Sequence, residues 1–357
     1  MKILFLEPFF GGSHKDFALG FKAAFNHDVI LVTLPDRSWK WRMRGAALYF
    51  INQIQDIRSF DLIMVTDMLD LTDFIALAGK DLPPIWLYFH ENQLSYPLEL
   101  GIKRDFHLGF TNIVSALAAD QVFFNSSFHL KDFFSHANRL IKRMPDYRPG
   151  WIMQKIKNKT QVIYPGCRFE SGVIELEKKD GNSPLIVWNH RWEYDKNPAL
   201  FFNAIARLKD KNIAFSLAVL GEKGSNIPEV FEQAKEQFKE EIEVFGYVKS
   251  RQEYISWLQK GAIVVSTAIQ ENFGISIVEA VRYGCIPLLP NRLSYPEIIP
   301  CDLHSTLLYD NDLELETRLE DMVLNYPQYS FVQQRLSENM AQYSWQNIIQ
   351  IYHNMLL

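Results

Sequence analysis

The sequence has little of what would commit it to several protein classes. Only three of its 357 residues are cysteine, Cys167, Cys285 and Cys301, an odd number with no metal-ligand spacing. That excludes a disulfide framework and a cysteine-built metal site, and it fits a reducing cytoplasm. No apolar run approaches the roughly 20 residues that span a bilayer, so stable membrane insertion is not expected. The opening MKILFLEPFFGG is broken by Glu7 and Pro8 too soon for a signal peptide, and reads as a first buried strand. There is no G-x-G-x-x-G dinucleotide fingerprint, and no second histidine completes an H-E-x-x-H after His90-Glu91. Repeats of fixed period and low-complexity tracts are absent too. Nor is there an excess of positive charge: 37 Lys and Arg stand against 42 Asp and Glu, a net of −5. This argues against nucleic-acid binding over the whole surface, while leaving room for local basic surfaces.

What is present is an ordinary globular composition, 48% hydrophobic and 22% charged, in a chain long enough for two cores. Short apolar runs at residues 3–7, 29–34, 61–66, 85–90, 121–125 and 161–164 read as strands. Amphipathic stretches at 16–25, 105–118 and 128–141 read as helices between them. A polar stretch at 168–183 (RFESGVIELEKKDGNS) is read as a linker. A second series follows, with strands at 185–189, 216–220, 242–245, 262–267 and 286–289 and helical patterns at 198–209, 228–238 and 252–259. Such alternation predicts an α/β protein with two doubly wound parallel sheets. The domains expected are 1–167 and 184–340, followed by a helical segment, 341–357, too amphipathic to be a free tail. Ligands are expected at the carboxyl ends of the strands, in a cleft.

The densest chemistry lies in residues 268–280, AIQENFGISIVEA. Glu271 and Glu279 flank the turn Asn272-Phe273-Gly274, which opens a helix after an apolar strand. Backbone N–H groups at a helix start attract phosphate, and carboxylates accept hydrogen bonds from sugar hydroxyls. A second reading of the same letters is a capping box, Ser276-x-x-Glu279. Ahead of it, WNHRWEYDKNP places Arg191 and Lys196 after the first strand of the second domain, where two cations can neutralise a diphosphate.

In the first domain, Gly11-Gly12-Ser13-His14 joins the first strand to the first helix, and His90, Glu91 and Asn92 follow the fourth strand. His90 there can hydrogen-bond a reacting sugar or orient an acceptor. Asn125-Ser126-Ser127 reads as a helix cap and Asp310-Asn311-Asp312 as a turn. Two basic surfaces stand out: residues 36–45, with Arg37, Lys40, Arg42 and Arg44 interleaved with Trp39 and Trp41, and residues 139–159, with seven basic residues against Asp146. The first suits an RNA acceptor, cations for phosphate and indoles for stacking, or else is a loop leading into a helix with its tryptophans in the core.

Taken together, these residues resemble the retaining GT-B glycosyltransferases of family 4. The glycine loop Gly11-Gly12, the Arg191-x4-Lys196 pair, Glu271-x7-Glu279 and the terminal Ser344-Trp345 helix occur in that order. The longer strings EPFFGGSHKDF, LPDRSWKWRMRGAALYF, YFHENQLSYP and WNHRWEYDKNP are similar to the tRNA-queuosine mannosyltransferase family. The resemblance implies a GT-B fold, two Rossmann-like domains facing a cleft with the last helix crossing back to the first domain. It implies transfer of a hexose, mannose from GDP-mannose, to queuosine at the tRNA wobble position. Arg191 and Lys196 would hold the diphosphate, Glu279 the ribose hydroxyls and Glu271 the donor sugar. Gly11, Gly12 and the backbone of Asn272, Phe273, Gly274 and Ile275 would complete the donor pocket, with the base near Gly246, Tyr247 and Val248. His90 would sit by the reaction with Arg191, Lys196 and Glu271. His14, Trp39, Lys40, Trp41, Arg42, Arg44, Glu91 and Asn92 would face the acceptor. No metal or cofactor is implied, because the two cations supply the charge. The competing functions are a transferase of this fold acting on a cell-envelope glycan or lipid, a sugar-nucleotide epimerase or hydrolase, and a catalytically silent RNA-binding protein.

Overall fold

The apolar runs of the first half become β1 (Lys2–Phe10), β2 (Asp28–Pro35), β3 (Leu62–Thr66), β4 (Ile85–Phe89), β5 (Gln121–Phe124) and β6 (Thr160–Val162). In this computed structural model all residues are described except 99, 100, 102, 170–173, 177, 178, 180, 225, 226 and 357, so part of the expected linker 168–183 lies outside the described residues. The chain divides into two units. One is Met1–Arg168 with the residues from Trp345 onward, and the other is Phe169–Ser344.

In the first unit the strands pair in parallel in the order β2-β1-β3-β4-β5-β6. Between them run α1 (Gly12–Ala24), α2 (Trp39–Gln53), α3 (Leu71–Ala78), α4 (Phe106–Ala118), α5 (Ser127–Lys142) and α6 (Trp151–Lys157). Successive strand residues point to opposite faces, and in the inner strands β1, β3, β4 and β5 both faces are buried, which is why those runs read as mainly apolar. Leu4, Leu6, Ile63 and Val65 pack with Phe50 of α2 and Phe133 of α5. Ile3, Phe5, Met64 and Trp86 pack on the other side with Phe17 and Phe21 of α1.

Of the helices before residue 168, α1 alone contributes to that second face. The remaining cover comes from the last helix, Trp345–Met355, through Trp345, Ile348, Ile349 and Tyr352. Trp345 lies in a cup made by two glycines. A Cβ on Gly20 would fall 1.9 Å from its Nε1, and one on Gly166 would fall 2.2 Å from its Cδ2. The division between the units therefore falls at Ser344/Trp345, four residues later than the pattern suggested, because Tyr343 still packs edge-on against Phe273 of the second unit, 5.1 Å between ring centres.

The second unit holds β7 (Leu185–Trp188), β8 (Ser216–Leu220), β9 (Ile242–Gly246), β10 (Ile263–Val265), β11 (Ile286–Pro290) and the two-residue β12 (Leu308–Tyr309). They pair in parallel in the order β12-β11-β10-β7-β8-β9. Helices α7 (Pro198–Asp210), α8 (Val230–Gln237), α9 (Arg251–Lys260) and α10 (Ile275–Arg282) connect the first five strands, and further short helices follow. No helix among the described residues is long and apolar enough to cross a membrane. Every expected strand is present, its ends within three residues of the expected ones; β12, α3 and α6 were not anticipated, and α2 only as a helix behind a loop at 36–45.

The Trp345 cup is testable. Trp345→Ala should cost about 3–5 kcal/mol by leaving a cavity between α1 and the sheet, lowering Tm on the order of 10 °C in thermal unfolding. A shift of about 2 °C or less would show that the last helix adds little to this core.

Candidate functional site

In each sheet the strand order reverses once, between β1 and β3 and between β7 and β10. The helices leaving the two strands at such a point go to opposite faces, so the strand ends there stay open to a ligand. The polar residues collect at these two points.

At the first point, Glu7 is fully buried within β1. Its Oε1 accepts from the Phe9 N–H at 2.8 Å and the Thr66 hydroxyl at 3.1 Å, and both its oxygens lie 3.2–3.3 Å from Nδ1 of His14 on α1. His14 is itself buried, and its ring lies 4.1 Å from that of His90, centre to centre. His90 follows β4, its N–H donating to Asp67 Oδ1 at 2.8 Å. Burial disfavours charge on His14, but the attraction and hydrogen bond of Glu7, with help from Asp67 and Glu91, outweigh it and raise the pKa to about 9. His90 is pushed the other way, well below the ordinary value, by burial and by the charge of His14. The result is a cationic His14 against a neutral His90. Glu7, His14 and His90 are also the one group among the described residues whose ligand atoms are close enough to hold a metal ion. A cation there would have to displace the proton that His14 holds between itself and Glu7.

Gly11 caps α1, with the Asp36 carboxylate filling the space a Cβ would need, and Gly12 opens the helix at φ +48°. Asn92 is used within its own loop, its Oδ1 accepting from the N–H groups of Leu94 and Ser95. Glu91 accepts from Gln93 Nε2 at 2.9 Å.

At the second point, Lys196 is buried at the end of a short turn after β7. Its Nζ donates to the Gln270 carbonyl at 2.7 Å and lies 3.4 Å from Glu271 Oε2 and 3.2 Å from Asp195 Oδ2. Burial disfavours the charge, but Glu271 and Asp195 more than compensate, and the ammonium is held above its ordinary pKa. Arg191 is half-exposed, 3.3 Å from Glu193. The acidic turn is fixed by Ser294, whose hydroxyl donates to the Phe273 carbonyl at 2.8 Å, and by Gln270 Nε2 donating to Asn272 Oδ1 at 3.1 Å. Phe273 itself is buried.

The capping box is not formed. Gly274 at φ +101°, a left-handed conformation that favours glycine, caps α10 without a side-chain bond, and the helix starts at Ile275. Ser276 is thus already inside the helix, 3.5 Å from His190 Nδ1, and Glu279 lies a full turn in, with Arg251 Nη2 at 2.5 Å. Asn189 Nδ2 donates to the Ser276 carbonyl and to the Tyr254 hydroxyl, joining the end of β7 to α9 and α10. Tyr247 and Val248 follow β9, the tyrosine 69% exposed.

The basic–aromatic segment 36–45 places its two tryptophans differently. It forms the start of α2. Trp39 packs on Met43, Met68 and Leu108, whereas Trp41 is 76% exposed. Lys40 lies 5.5 Å from the Trp39 ring, Arg42 donates to the Pro35 carbonyl, and Arg44 sits 3.5 Å from Asp70. Ser126 caps α5 by accepting from the His129 N–H, and Asn311 caps the helix Asp312–Leu324, so both are structural.

Glu7, Asp67, Asp195 and Arg251 were missed. The one available signal was a charged residue set in an apolar strand, as Glu7 is in KILFLEPFF.

Residues 2–167 match the family described as tRNA-queuosine alpha-mannosyltransferase N-terminal, and residues 174–339 match glycosyl transferases group 1. A tRNA-queuosine alpha-mannosyltransferase of Drosophila melanogaster is 38% identical over 309 residues, 84% of this chain and 81% of the relative. The chain belongs to the tRNA-queuosine alpha-mannosyltransferase family. It is a glycosyltransferase, and its fold is α/β of the GT-B type. The human GDP-Man:Man(3)GlcNAc(2)-PP-Dol alpha-1,2-mannosyltransferase is 28% identical over 149 residues, 38% of this chain and 30% of that relative. Among solved structures, sucrose-phosphate synthase from Thermosynechococcus elongatus superposes with a TM-score of 0.73 at 13% identity, covering 100% of this chain and 99% of that one.

The His14–Glu7 pair gives this glycosyltransferase a pH signature. The folded pKa of about 9 exceeds the ordinary 6.5, so the pair's stabilisation is whole below pH 6.5 and is lost as pH rises through 9. Asp67, pushed up from 3.8 to about 8 by burial, acts in the same sense between those two values. Urea unfolding should therefore show stability falling by about 5 kcal/mol between pH 6.5 and 9, roughly 3 from His14 and 2 from Asp67, with His14→Gln removing the larger part and all of the slope above pH 8. A flat wild-type profile would mean that the pair is not formed.

Proposed function

We propose that this chain transfers mannose from GDP-mannose, with retention at the anomeric carbon, to queuosine at the wobble position of tRNA. The observation that carries the reading is the meeting of Lys196 and Glu271, 75 residues apart in sequence, at the strand reversal of the second unit. The names of the Drosophila and human relatives support the acceptor and the donor respectively. A tRNA acceptor also puts the reaction in the cytoplasm.

In this reading Arg191, half-exposed, meets the diphosphate of the nucleotide sugar, while Lys196 adds charge and fixes the Glu271 loop. Glu271 accepts from the donor sugar. Glu279, its charge balanced by Arg251, accepts from the ribose hydroxyls, and the base lies by Tyr247 and Val248. The acceptor oxygen bonds to the anomeric carbon as the bond to the diphosphate breaks, and the departing phosphate oxygen takes the acceptor's proton on the same face. His90, kept neutral, holds a sugar hydroxyl without adding charge. Trp41, the exposed indole of α2, stacks on RNA, while Trp39 supports the helix. The charge on the leaving group is met by the two cations, and no metal or cofactor takes part.

Incubation with GDP-mannose and queuosine-containing tRNA, followed by mass spectrometry of digested nucleosides, should show a hexose added to queuosine, with turnover persisting in EDTA. No hexosylated nucleoside with GDP-mannose or any other sugar nucleotide would overturn the proposal. Arg191→Ala should lower kcat on the order of 10²–10³-fold while donor binding persists, as expected for lost stabilisation of developing charge.

A further inference from the structure

The second basic segment, residues 139–159, is not used by the reaction. It carries seven of the first unit's 20 Lys and Arg but only one of its 16 Asp and Glu, whereas the second unit has 17 against 26. Arg139, Lys142, Arg143, Arg148, Lys155 and Lys157 are exposed. The seventh, Lys159, is structural: its ammonium donates to the Leu117 and Ala119 carbonyls at the end of α4.

Two aromatic rings stand among these charges, Tyr147 at 70% and Trp151 at 52% exposure. They are held in place, because the Trp151 indole N–H donates to the Tyr147 hydroxyl at 3.3 Å and the Lys155 ammonium lies 5.0 Å from the Trp151 ring centre. Trp151 and Lys155, with Leu117, Asn158 and Lys159, line an open recess of about 430 Å³. A neighbouring cation, Arg143, sits 4.8 Å from the Phe106 ring.

We propose that this surface is an RNA-binding site separate from the reacting residues, in which an unpaired base stacks on Trp151 and the surrounding cations meet the flanking phosphates. Exposed indoles beside cations are the combination that single-stranded RNA takes. A membrane surface fits less well. An interfacial helix inserts a free apolar face, but α6 spends its own, Ile152, Met153 and Ile156, in the core. Pro145 and Pro149 also separate it from α5. The inference rests on the RNA-acceptor reading above.

The test compares wild type, Trp151→Ala and the double variant K155E/K157E in three measurements: fluorescence-anisotropy binding of unmodified tRNA between 50 and 200 mM KCl, KM for queuosine-containing tRNA, and KM for GDP-mannose. The double variant should bind tRNA at least about tenfold more weakly and reduce the salt slope by about 2, one per phosphate contact removed. Trp151→Ala should weaken binding about tenfold with the slope unchanged. The KM for GDP-mannose should hold in both. Unchanged tRNA affinity in both variants of an enzyme that still mannosylates tRNA would overturn this site and leave the proposed function standing. A wild type that neither binds nor modifies tRNA would overturn both. Binding to phosphatidylglycerol vesicles that is lost in the variants while tRNA binding persists would overturn the site in favour of a membrane surface.

Discussion

Parallel pairing puts the carboxyl end of every strand in a sheet on the same edge, and in this protein nearly all of the chemistry follows from that constraint. Strands buried on both faces have no place for polar side chains along their length, so polar residues come after them. Because all twelve strands run parallel to their partners, residues distant in sequence meet at the edge. Asn189 follows β7, the acidic turn follows β10, and Arg251 follows β9 by way of a short loop. The order reversals at β1/β3 and β7/β10 then pick out which strand ends stay open. Glu7 is the exception that shows the rule: a carboxylate inside a strand, it is tolerated only because Phe9, Thr66 and His14 satisfy it.

This constraint also explains what the sequence discloses. Strands and the longer helices were legible because the period of apolar residues differs between them, and the order of motifs followed from the order of strands. Partnerships were not. Arg251 and Glu279 are 28 residues apart and Glu7 and Thr66 are 59 apart, and no local spacing reports either. Ser276-x-x-Glu279 shows a sharper limit. Whether it caps a helix depends on where the helix starts, and the left-handed Gly274 sets that start at Ile275. The letters fit both a cap and an inward carboxylate, and one backbone angle decides between them. Segment 36–45 resisted for the opposite reason: Trp39 packs inward and Trp41 outward, two residues apart on one helix, so the core reading holds for Trp39 alone.

Charge compensation is the second organising feature. Neither Lys196 nor Glu279 is a bare charge awaiting a ligand. Lys196 stands with Glu271 and Asp195, and Glu279 stands with Arg251. A buried ion without a partner would lose its charge; Glu271 and Asp195 hold the Lys196 ammonium charged, and Glu279 does the same for Arg251. The same logic operates on the histidines. Glu7 keeps a proton on His14, and that charge in turn helps to keep His90 neutral. Two chemically identical rings in van der Waals range thereby take different protonation states, one able to donate from a cation and the other able to accept.

The distribution of charge between the units carries the argument from site to specificity. A unit with 17 cations and 26 anions does not attract anions by its overall field, so the anionic donor proposed would depend on particular ion pairs at short range. Those pairs are buried or half-buried, where salt screens them weakly. A polyanion is recognised differently, through many exposed cations whose attraction falls off within about 8 Å at physiological salt. The exposed cations of α2 and of residues 139–159 belong to the other unit, which has 20 cations against 16 anions. The two units thus differ in their electrostatics, and an RNA acceptor of the kind proposed would be repelled by the acidic unit and drawn to the exposed cations and indoles of the other.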